Sequence, residues 1–433
     1  MQQSATAGSG IDRDRVAALA EERLDWRFKA VPPAGWGRTV TEYLATGPAL
    51  DQLGTPLLTL DAAALEHNLR TMAAWCATAG VQLAPHGKTT MAPALWQAQL
   101  DAGASAVTLA NLSQLRVARA FGVRRVVIAN ALLDPAGLAW LAAELDADPE
   151  FEVCSWVDSV ESVRLMDEAR RAAGARRPAD VLVELGGPGG RTGVRDLATA
   201  EAVARAVRAA PTLRLVGIGG YEAALTHDAT PGGLATVERY LERLVELHDL
   251  LRAAGLFDQA ERVVVTAGGS AYFDQVARLL TPLARAHPDL DVVLRSGAYL
   301  AHDDGFYRAI SPLARGAGEP LRSALHGWAR VISRPEPGLA LLDGGKRDFP
   351  YDEGLPEPQA VRGPDGLRPL SGHVSAVNDQ HAFLRGAEVE VGDVVRLGVS
   401  HPCTAFDKWT LIPVLDDAAS PRPRVVDLVR TFF

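Results

Sequence analysis

Lysine is nearly missing from this chain. Of 44 basic residues only four are lysine (Lys29, Lys88, Lys346 and Lys408), and arginine carries the rest. A guanidinium stays protonated and cannot form a Schiff base, so covalent amine chemistry has four side-chain candidates. Cysteine is equally sparse. Cys76, Cys154 and Cys403 are too few and too far apart for a disulfide framework or a closed Cys-rich zinc site, so any metal must recruit other ligand types. No run of lysine or arginine with interleaved aromatics occurs and the net charge is -9, which argues against a nucleic-acid partner. Long apolar runs are also wanting. Residues 1–10 are small and polar, and Ile11 to Lys29 carries charges of both signs, leaving no core for a signal peptide or membrane span. The expectation is a cytoplasmic protein with no membrane partner.

What is present fits a globular enzyme of two domains. The 433 residues, 48% hydrophobic and 22% charged, suit a domain of about 250 residues with a smaller companion. Pro56 to Leu60 reads as a strand, and Asp61 caps a helix whose apolar positions Leu65, Leu69, Met72 and Cys76 keep helical spacing until Gly80. Eight strand candidates follow: Val81–Ala84, Ala106–Leu109, Arg125–Ala129, Glu152–Trp156, Val181–Leu185, Leu213–Ile218, Arg262–Thr266 and Val292–Arg295. Amphipathic stretches separate them, among them Pro93–Ala102, Leu112–Phe121, Ser159–Ala173 and Val237–Ala254. The alternation predicts an α/β fold, a (β/α)8 TIM barrel, with a doubly wound open sheet as the competing layout. Beyond Ser311 shorter Gly- and Pro-rich pieces predict a small antiparallel β domain, with Pro350 to Leu370 as a long loop. The expected organisation is an N-terminal segment (1–55) packing on the β domain, a barrel (56–310) and a C-terminal β domain (311–433).

In such a barrel the carboxyl ends of the strands face one pocket. The first strand leads into Pro85-His86-Gly87-Lys88-Thr89, where Lys88 lies among small residues, a setting that can desolvate an amine; an ordinary loop lysine is the alternative. After the seventh strand, Gly268-Gly269-Ser270 opens a helix. Bare backbone N–H groups and a hydroxyl there can surround a phosphate, or the segment is simply a tight turn with a serine cap. Gly186 to Gly193 is glycine-rich but lacks dinucleotide spacing; its Arg191 reaches either a ring oxygen or a surface ion pair. His401-Pro402-Cys403 follows the Val394 to Val399 strand. In extended backbone residues two apart share a face, so one imidazole and one thiolate could hold a zinc ion with open positions; a buried cysteine beside an unrelated histidine is the alternative. His381 reads as a surface histidine.

Taken together these residues resemble the D-serine dehydratase and D-threonine aldolase family of the alanine racemase-like (fold type III) pyridoxal-phosphate enzymes, over Pro56 to the end. Pro85-His86-Gly87-Lys88-Thr89 is similar to the family's cofactor-lysine motif, and Leu60-Asp61 with Asn68-Leu69 to the segment before it. Gly268-Gly269-Ser270 looks like its phosphate turn, and Arg295-Ser296-Gly297-Ala298-Tyr299 like an Arg-x-Gly-x-Tyr element. The resemblance implies Lys88 as the catalytic Schiff-base lysine, Arg191 and Tyr221 near the pyridine ring, and Tyr299 by the phosphate. It implies His401 and Cys403 as ligands of Zn2+ or another divalent metal; the dehydratases carry this pair, whereas the aldolases usually show His and Asp. Two positions depart from the pattern: Ser296 stands where proline is common, and Asp379-Gln380-His381 replaces the more usual Glu-Glu-His. The expected activity is dehydration of a small D-β-hydroxy amino acid, D-serine-like, to a keto acid and ammonia. Retro-aldol cleavage and a non-catalytic cofactor carrier are the rivals, and a homodimer is implied by the same resemblance.

Overall fold

Eight short strands alternate with helices through the middle of the chain, and in the computed structural model they join into one parallel sheet. Residues 10–363 and 366–433 are described; the first nine residues of the expected N-terminal segment and residues 364–365 of the expected loop lie outside them. The chain groups into two compact units. Among the described residues, one unit holds 10–12 with Ala73–Lys88 and Gln99–Gly297; the other holds Arg13–Met72, Thr89–Ala98 and Ala298–Phe433. Among the described residues no helix is long and apolar enough to cross a membrane.

With β1 at Leu57–Asp61, the barrel strands are β2 (Gln82–Leu83), β3 (Val107–Leu109), β4 (Arg125–Ala131), β5 (Glu152–Val157), β6 (Ala179–Leu185), β7 (Leu213–Gly220), β8 (Val263–Ala267) and β9 (Leu290–Leu294). Their order, β2-β9-β8-β7-β6-β5-β4-β3, returns to its start. The seam closes through a parallel bridge between His86 and Thr108, with the Thr108 N–H donating to Pro85 O at 2.9 Å and the Ser105 N–H to Leu83 O at 2.8 Å. All eight expected strands are present, and closure decides for the barrel over the open sheet. Two apolar clusters pack within the sheet, one of Ala84, Ala106, Val127 and Val293 and another of Ala129, Trp156, Leu182 and Val216. Outside, helix starts are capped by the chemistry of their own sequence, as where Ser159 and Ser162 cap Val160–Ala172 and Asp196 accepts from the Thr199 N–H at 2.8 Å.

In the other unit β1 pairs antiparallel with β10 (Leu325–Glu336), Leu57 opposite Trp328, and parallel with a strand at Leu411–Leu415. The Pro56 to Leu60 strand therefore belongs to this sheet and not to the barrel. Buried on both faces at Leu57, Leu58 and Leu60, it carries no alternation that would tell one sheet from the other. The remaining strands are β11 (Leu339–Leu342), β12 (Glu357–Gly363), β13 (Gly366–Pro369), β14 (His373–Val377), β15 (Ala382–Arg385), β16 (Val394–Gly398), β17 (Leu411–Leu415) and β18 (Val425–Arg430). The main order is β13-β12-β16-β10-β1-β17-β18, and β11, β15 and β14 branch from β10. The expected loop at 350–370 is corrected here to a hairpin of β12 and β13. Its prolines mask it: Pro358 sits where the β12 to β16 register shifts, so the missing N–H falls at a bulge. Trp328, Phe349, Phe406 and Trp409 are fully buried in this unit. Asn68 ties it together, donating to Leu300 O at 2.9 Å and Arg322 O at 2.7 Å and accepting from the Arg322 N–H at 2.8 Å.

Candidate active site

The carboxyl ends of the barrel strands collect most of the residues the sequence singles out. Lys88 lies half-buried in a short 3-10 turn, Gly87–Thr89, directly after β2. Before it, His86 has its Nδ1 shielded from solvent without a hydrogen-bond partner. Burial, reinforced by the charges of Lys88 and Arg295, holds the His86 pKa well below its ordinary value, so the ring is neutral. The close fit has a sequence cause: a Cβ on Gly297 would come 2.5 Å from His86 O, so only glycine lets the β9 end pass this segment.

Arg295 is 4% exposed, donates to Thr266 Oγ1 and Gly220 O, both at 2.5 Å, and lies 4.9 Å from the centre of the Trp156 ring. Burial lowers its pKa without a bonded carboxylate, although Glu222 and Glu184 pull the other way. Arg191 stacks over the Tyr221 ring at 4.9 Å, bringing together two residues expected near a cofactor ring. Glu184, buried on β6, accepts from Thr192 Oγ1 at 2.8 Å; burial pushes its carboxyl up to about 7. Lys88, Arg191 and Arg295 place three basic groups at this end of the barrel, against the buried carboxyls of Glu184 and Glu222, and basic groups suit an anionic cofactor and a carboxylate substrate.

The turn after β8 differs from the simplest expectation. The Gly268 and Gly269 N–H groups do not stand bare: they donate to the two oxygens of Glu222 at 3.0 and 2.7 Å. Glu222 is fully buried, and its carboxylate satisfies the nest that the sequence offers to a phosphate. Gly268 has φ +94, and a Cβ there would meet Leu294 Cδ2 at 2.7 Å, so the turn itself requires glycine. Ser296 donates to Gly269 O at 3.0 Å, a bond that the proline common at this position would not make. Ser270 is half-buried at the turn's far end and remains the group of this trio available to a ligand. Glu222, Glu184 and His86 were not singled out from sequence; Glu222 follows a strand-end Gly-Gly-Tyr, and that place in the barrel is the signal that could have found it.

The second unit carries the other candidates. Tyr299 is buried at 2% exposure. His401-Pro402-Cys403 is not extended. His401 has φ +64, its N–H donates to Asp303 Oδ2 at 3.0 Å, and Cys403 opens the short helix Cys403–Phe406. The buried Asp303 also accepts from the Gly305 N–H at 3.0 Å and the Tyr307 N–H at 2.9 Å, and this carboxylate holds the chain in the tight bend. His401 and Cys403 still meet, side chain to side chain. Burial disfavours the imidazolium, but Cys403 and Asp352 outweigh it and hold the His401 pKa up to about 9. His401 Nδ1 lies 2.6 Å from Asp352 Oδ2, whose other oxygen accepts from Thr404 Oγ1 at 2.6 Å. Thr89 Oγ1 is 3.3 Å from Cys403 Sγ.

This donor set fits a divalent metal. A carboxylate on Nδ1 fixes the ring and is the usual outer partner of a metal-bound histidine. Asp352 lies 49 residues away in a loop, so no local motif announced it. His381 is exposed, while its neighbours Asp379 and Gln380 turn to Arg347 at 3.4 Å and Asp348 at 2.9 Å. Among the described residues the group of three metal-type side chains is His248, Asp249 and His287 in the barrel unit. There His248 is engaged at both nitrogens, by Asp249 Oδ1 at 2.8 Å and Arg252 Nε at 3.4 Å, an arrangement that serves the helix better than an ion.

A closed parallel barrel with a lysine after its first strand, joined in sequence to an antiparallel sheet, is the architecture of the alanine racemase-like class. Residues 60–282 match the alanine racemase N-terminal domain and residues 324–415 match a putative serine dehydratase domain. The chain is 32% identical to D-threonine aldolase of Arthrobacter sp over 379 residues, covering 86% of this chain and 91% of that one. Among solved structures, D-threonine aldolase from Filomicrobium marinum superposes with a TM-score of 0.73 at 27% identity, over 89% of this chain and 97% of that one. D-threo-3-hydroxyaspartate dehydratase from Delftia sp. HT23 shares the fold, with a TM-score of 0.69 at 23% identity over 89% and 99% of the two chains. The chain belongs to the D-serine dehydratase and D-threonine aldolase family of fold type III pyridoxal-phosphate-dependent enzymes.

Proposed function

We propose that this protein is a metal-assisted D-amino acid dehydratase, converting a small D-β-hydroxy amino acid such as D-serine to a keto acid and ammonia. The observation that carries the reading is the 3.3 Å approach of Thr89 Oγ1 to Cys403 Sγ, because Thr89 is the next residue after Lys88. A candidate metal thiolate thus bonds to the neighbour of the candidate cofactor lysine.

The barrel end fits pyridoxal phosphate on three counts: a single lysine after the first strand, a neutral His86 whose shielded Nδ1 has no partner, and a cationic surround of Arg191 and Arg295. When bound, the cofactor supplies an electron sink that acidifies the substrate's α-proton. Lys88 would hold the cofactor and, once displaced by the substrate amine, take that proton at its Nζ. Arg191 and Tyr221 would flank the ring, Ser270 and Tyr299 would serve the phosphate, and Gly268 and Gly269 would shape the turn that Glu222 holds. His401 and Cys403 would hold Zn2+ or another divalent ion, which as a Lewis acid eases departure of a β-hydroxyl. A thiolate with an imidazole favours zinc over magnesium or calcium.

The second reading is retro-aldol cleavage of a D-β-hydroxy amino acid, and the D-threonine aldolase names among the relatives favour it. A cofactor carrier without turnover is a third. The family resemblance also supports a homodimer, and the charged, polar N-terminal sequence supports action in the cytoplasm. One assay separates these readings: purified protein with pyridoxal phosphate and zinc, visible absorbance first, then products from D-serine, L-serine, D-threonine and D-3-hydroxyaspartate. The expected result is a visible band lost in Lys88→Ala, and ammonia from D-substrates only, abolished in Cys403→Ala with the band retained. Glycine and an aldehyde in place of ammonia would establish the aldolase, and a Lys88-dependent band without turnover would leave the carrier.

A further inference from the structure

The scarcity of lysine has a spatial counterpart in the second unit. Three of the four lysines, Lys29, Lys346 and Lys408, line one cavity of about 550 Å3 in the second unit, together with Arg347, Asp348 and Gln380. A volume of this size lies within the range of small-molecule sites. The lining carries four positive charges against the one carboxylate of Asp348.

That carboxylate is already spent. Asp348 is buried; it pairs with Lys29 at 3.2 Å and accepts from Gln380 Nε2 at 2.9 Å and the Gly345 N–H at 3.2 Å. Lys29 is itself locked over the Trp409 ring at 4.2 Å and donates to Arg347 O at 3.2 Å, so this pair is scaffold. Lys346, Arg347 and Lys408 are what the cavity offers to a ligand. The ammonium groups of Lys346 and Lys408 both lie over the ring of Tyr351, at 5.5 and 5.9 Å. Like charges gathered in one cleft repel each other, and a bound anion offsets that cost. The acidic partners of Arg347 and Lys408 sit outside the lining: Asp379 for Arg347 at 3.4 Å and Asp407 for Lys408 at 3.4 Å.

We propose that this cleft is a binding site for a small dianion, a dicarboxylate or a phosphate, recognised by Lys346, Lys408 and Arg347. Compact ammonium groups on flexible stems suit an anion of either shape better than the fixed fork of arginine, which this chain uses nearly everywhere else. The proposal is independent of which reaction the barrel performs.

The test is calorimetric titration of the full-length, cofactor-loaded protein with succinate and with inorganic phosphate, against acetate and chloride at matched ionic strength. At least one dianion should bind, and Lys346→Ala with Lys408→Ala should weaken it about tenfold or more while the melting temperature stays unchanged. Should the alanine pair fold poorly, Lys346→Gln with Lys408→Gln keeps the bulk and removes the charge, and the same loss is expected. Succinate alone binding identifies a carboxylate ligand, phosphate alone a phosphorylated one, and both support the site. Neither dianion binding above the monovalent controls, or equal binding by wild type and variants, overturns it.

Discussion

Glu184→Gln isolates a stability cost that the barrel carries at its functional end. The Glu184 carboxyl is 4% exposed, and burial, with a smaller push from Asp158, raises its pKa from 4.5 to about 7 against the pull of Thr192 and of Arg191 and Arg295. An acid whose folded-state pKa exceeds its unfolded value costs nothing while protonated in both states and destabilises the fold once ionised. The cost is absent below about pH 4.5, grows between 4.5 and about 7, and is constant above; by the free energy of a pKa unit it amounts to roughly 3 kcal/mol. Glutamine keeps an acceptor for Thr192 Oγ1 and removes the ionisation. The variant should therefore match wild type near pH 4.5 and exceed it above pH 7, by about 6–12 °C for a unit of this size. The assay is thermal unfolding of the barrel transition, wild type against variant, across pH 4.5 to 8.5. A melting difference that stays the same across that range, or a variant less stable at pH 8.5, would refute the reasoning.

The remaining tests probe the second unit. Asn68→Ala removes three hydrogen bonds of a fully buried amide, to Leu300 O, Arg322 O and the Arg322 N–H, and should cost about 3 kcal/mol, read as a lower urea midpoint with unchanged slope. Asn68→Asp should be no better, because its carboxylate would face the Leu300 and Arg322 carbonyl oxygens. Asp352→Ala removes the carboxylate 2.6 Å from His401 Nδ1 and should weaken zinc binding by about 10- to 100-fold in a chelator competition, without moving the melting temperature of the metal-free protein. Unchanged zinc affinity would mean that Asp352 does not orient a metal-bound His401.

How much of this was legible in the sequence depends on how far apart the interacting residues lie. The eight barrel strands were readable because each is a short apolar run bounded by its own helix, and the order of a parallel barrel follows the chain. Leu57–Asp61 was readable as a strand but not as a member of the other sheet, since burial on both faces looks alike in either. The β12 and β13 hairpin was hidden by Pro358 at a bulge and by the glycines at its turn. At the sites the division is the same. His401 and Cys403 were visible as a pair two residues apart, but their geometry is not that of a strand, because Asp303, 98 residues before His401, fixes the bend. Asp352 and Glu222 act on the pair and on the glycine turn across 49 and 46 residues, and only the folded chain brings them there.

Lysine usage was informative beyond any single motif. In a chain that otherwise relies on arginine, the four surviving ammonium groups were the places to look for chemistry that a guanidinium cannot supply. One of the four follows the first barrel strand, where covalent amine chemistry needs a group that can lose its proton. The other three line one cleft, where Lys29 is held by Asp348 and the charges of Lys346 and Lys408 are left to the proposed anion site. Composition could point to all four positions, but it could not separate the candidate nucleophile from the proposed anion site. The burial around Lys88 and the shared Tyr351 ring beneath Lys346 and Lys408 make that separation.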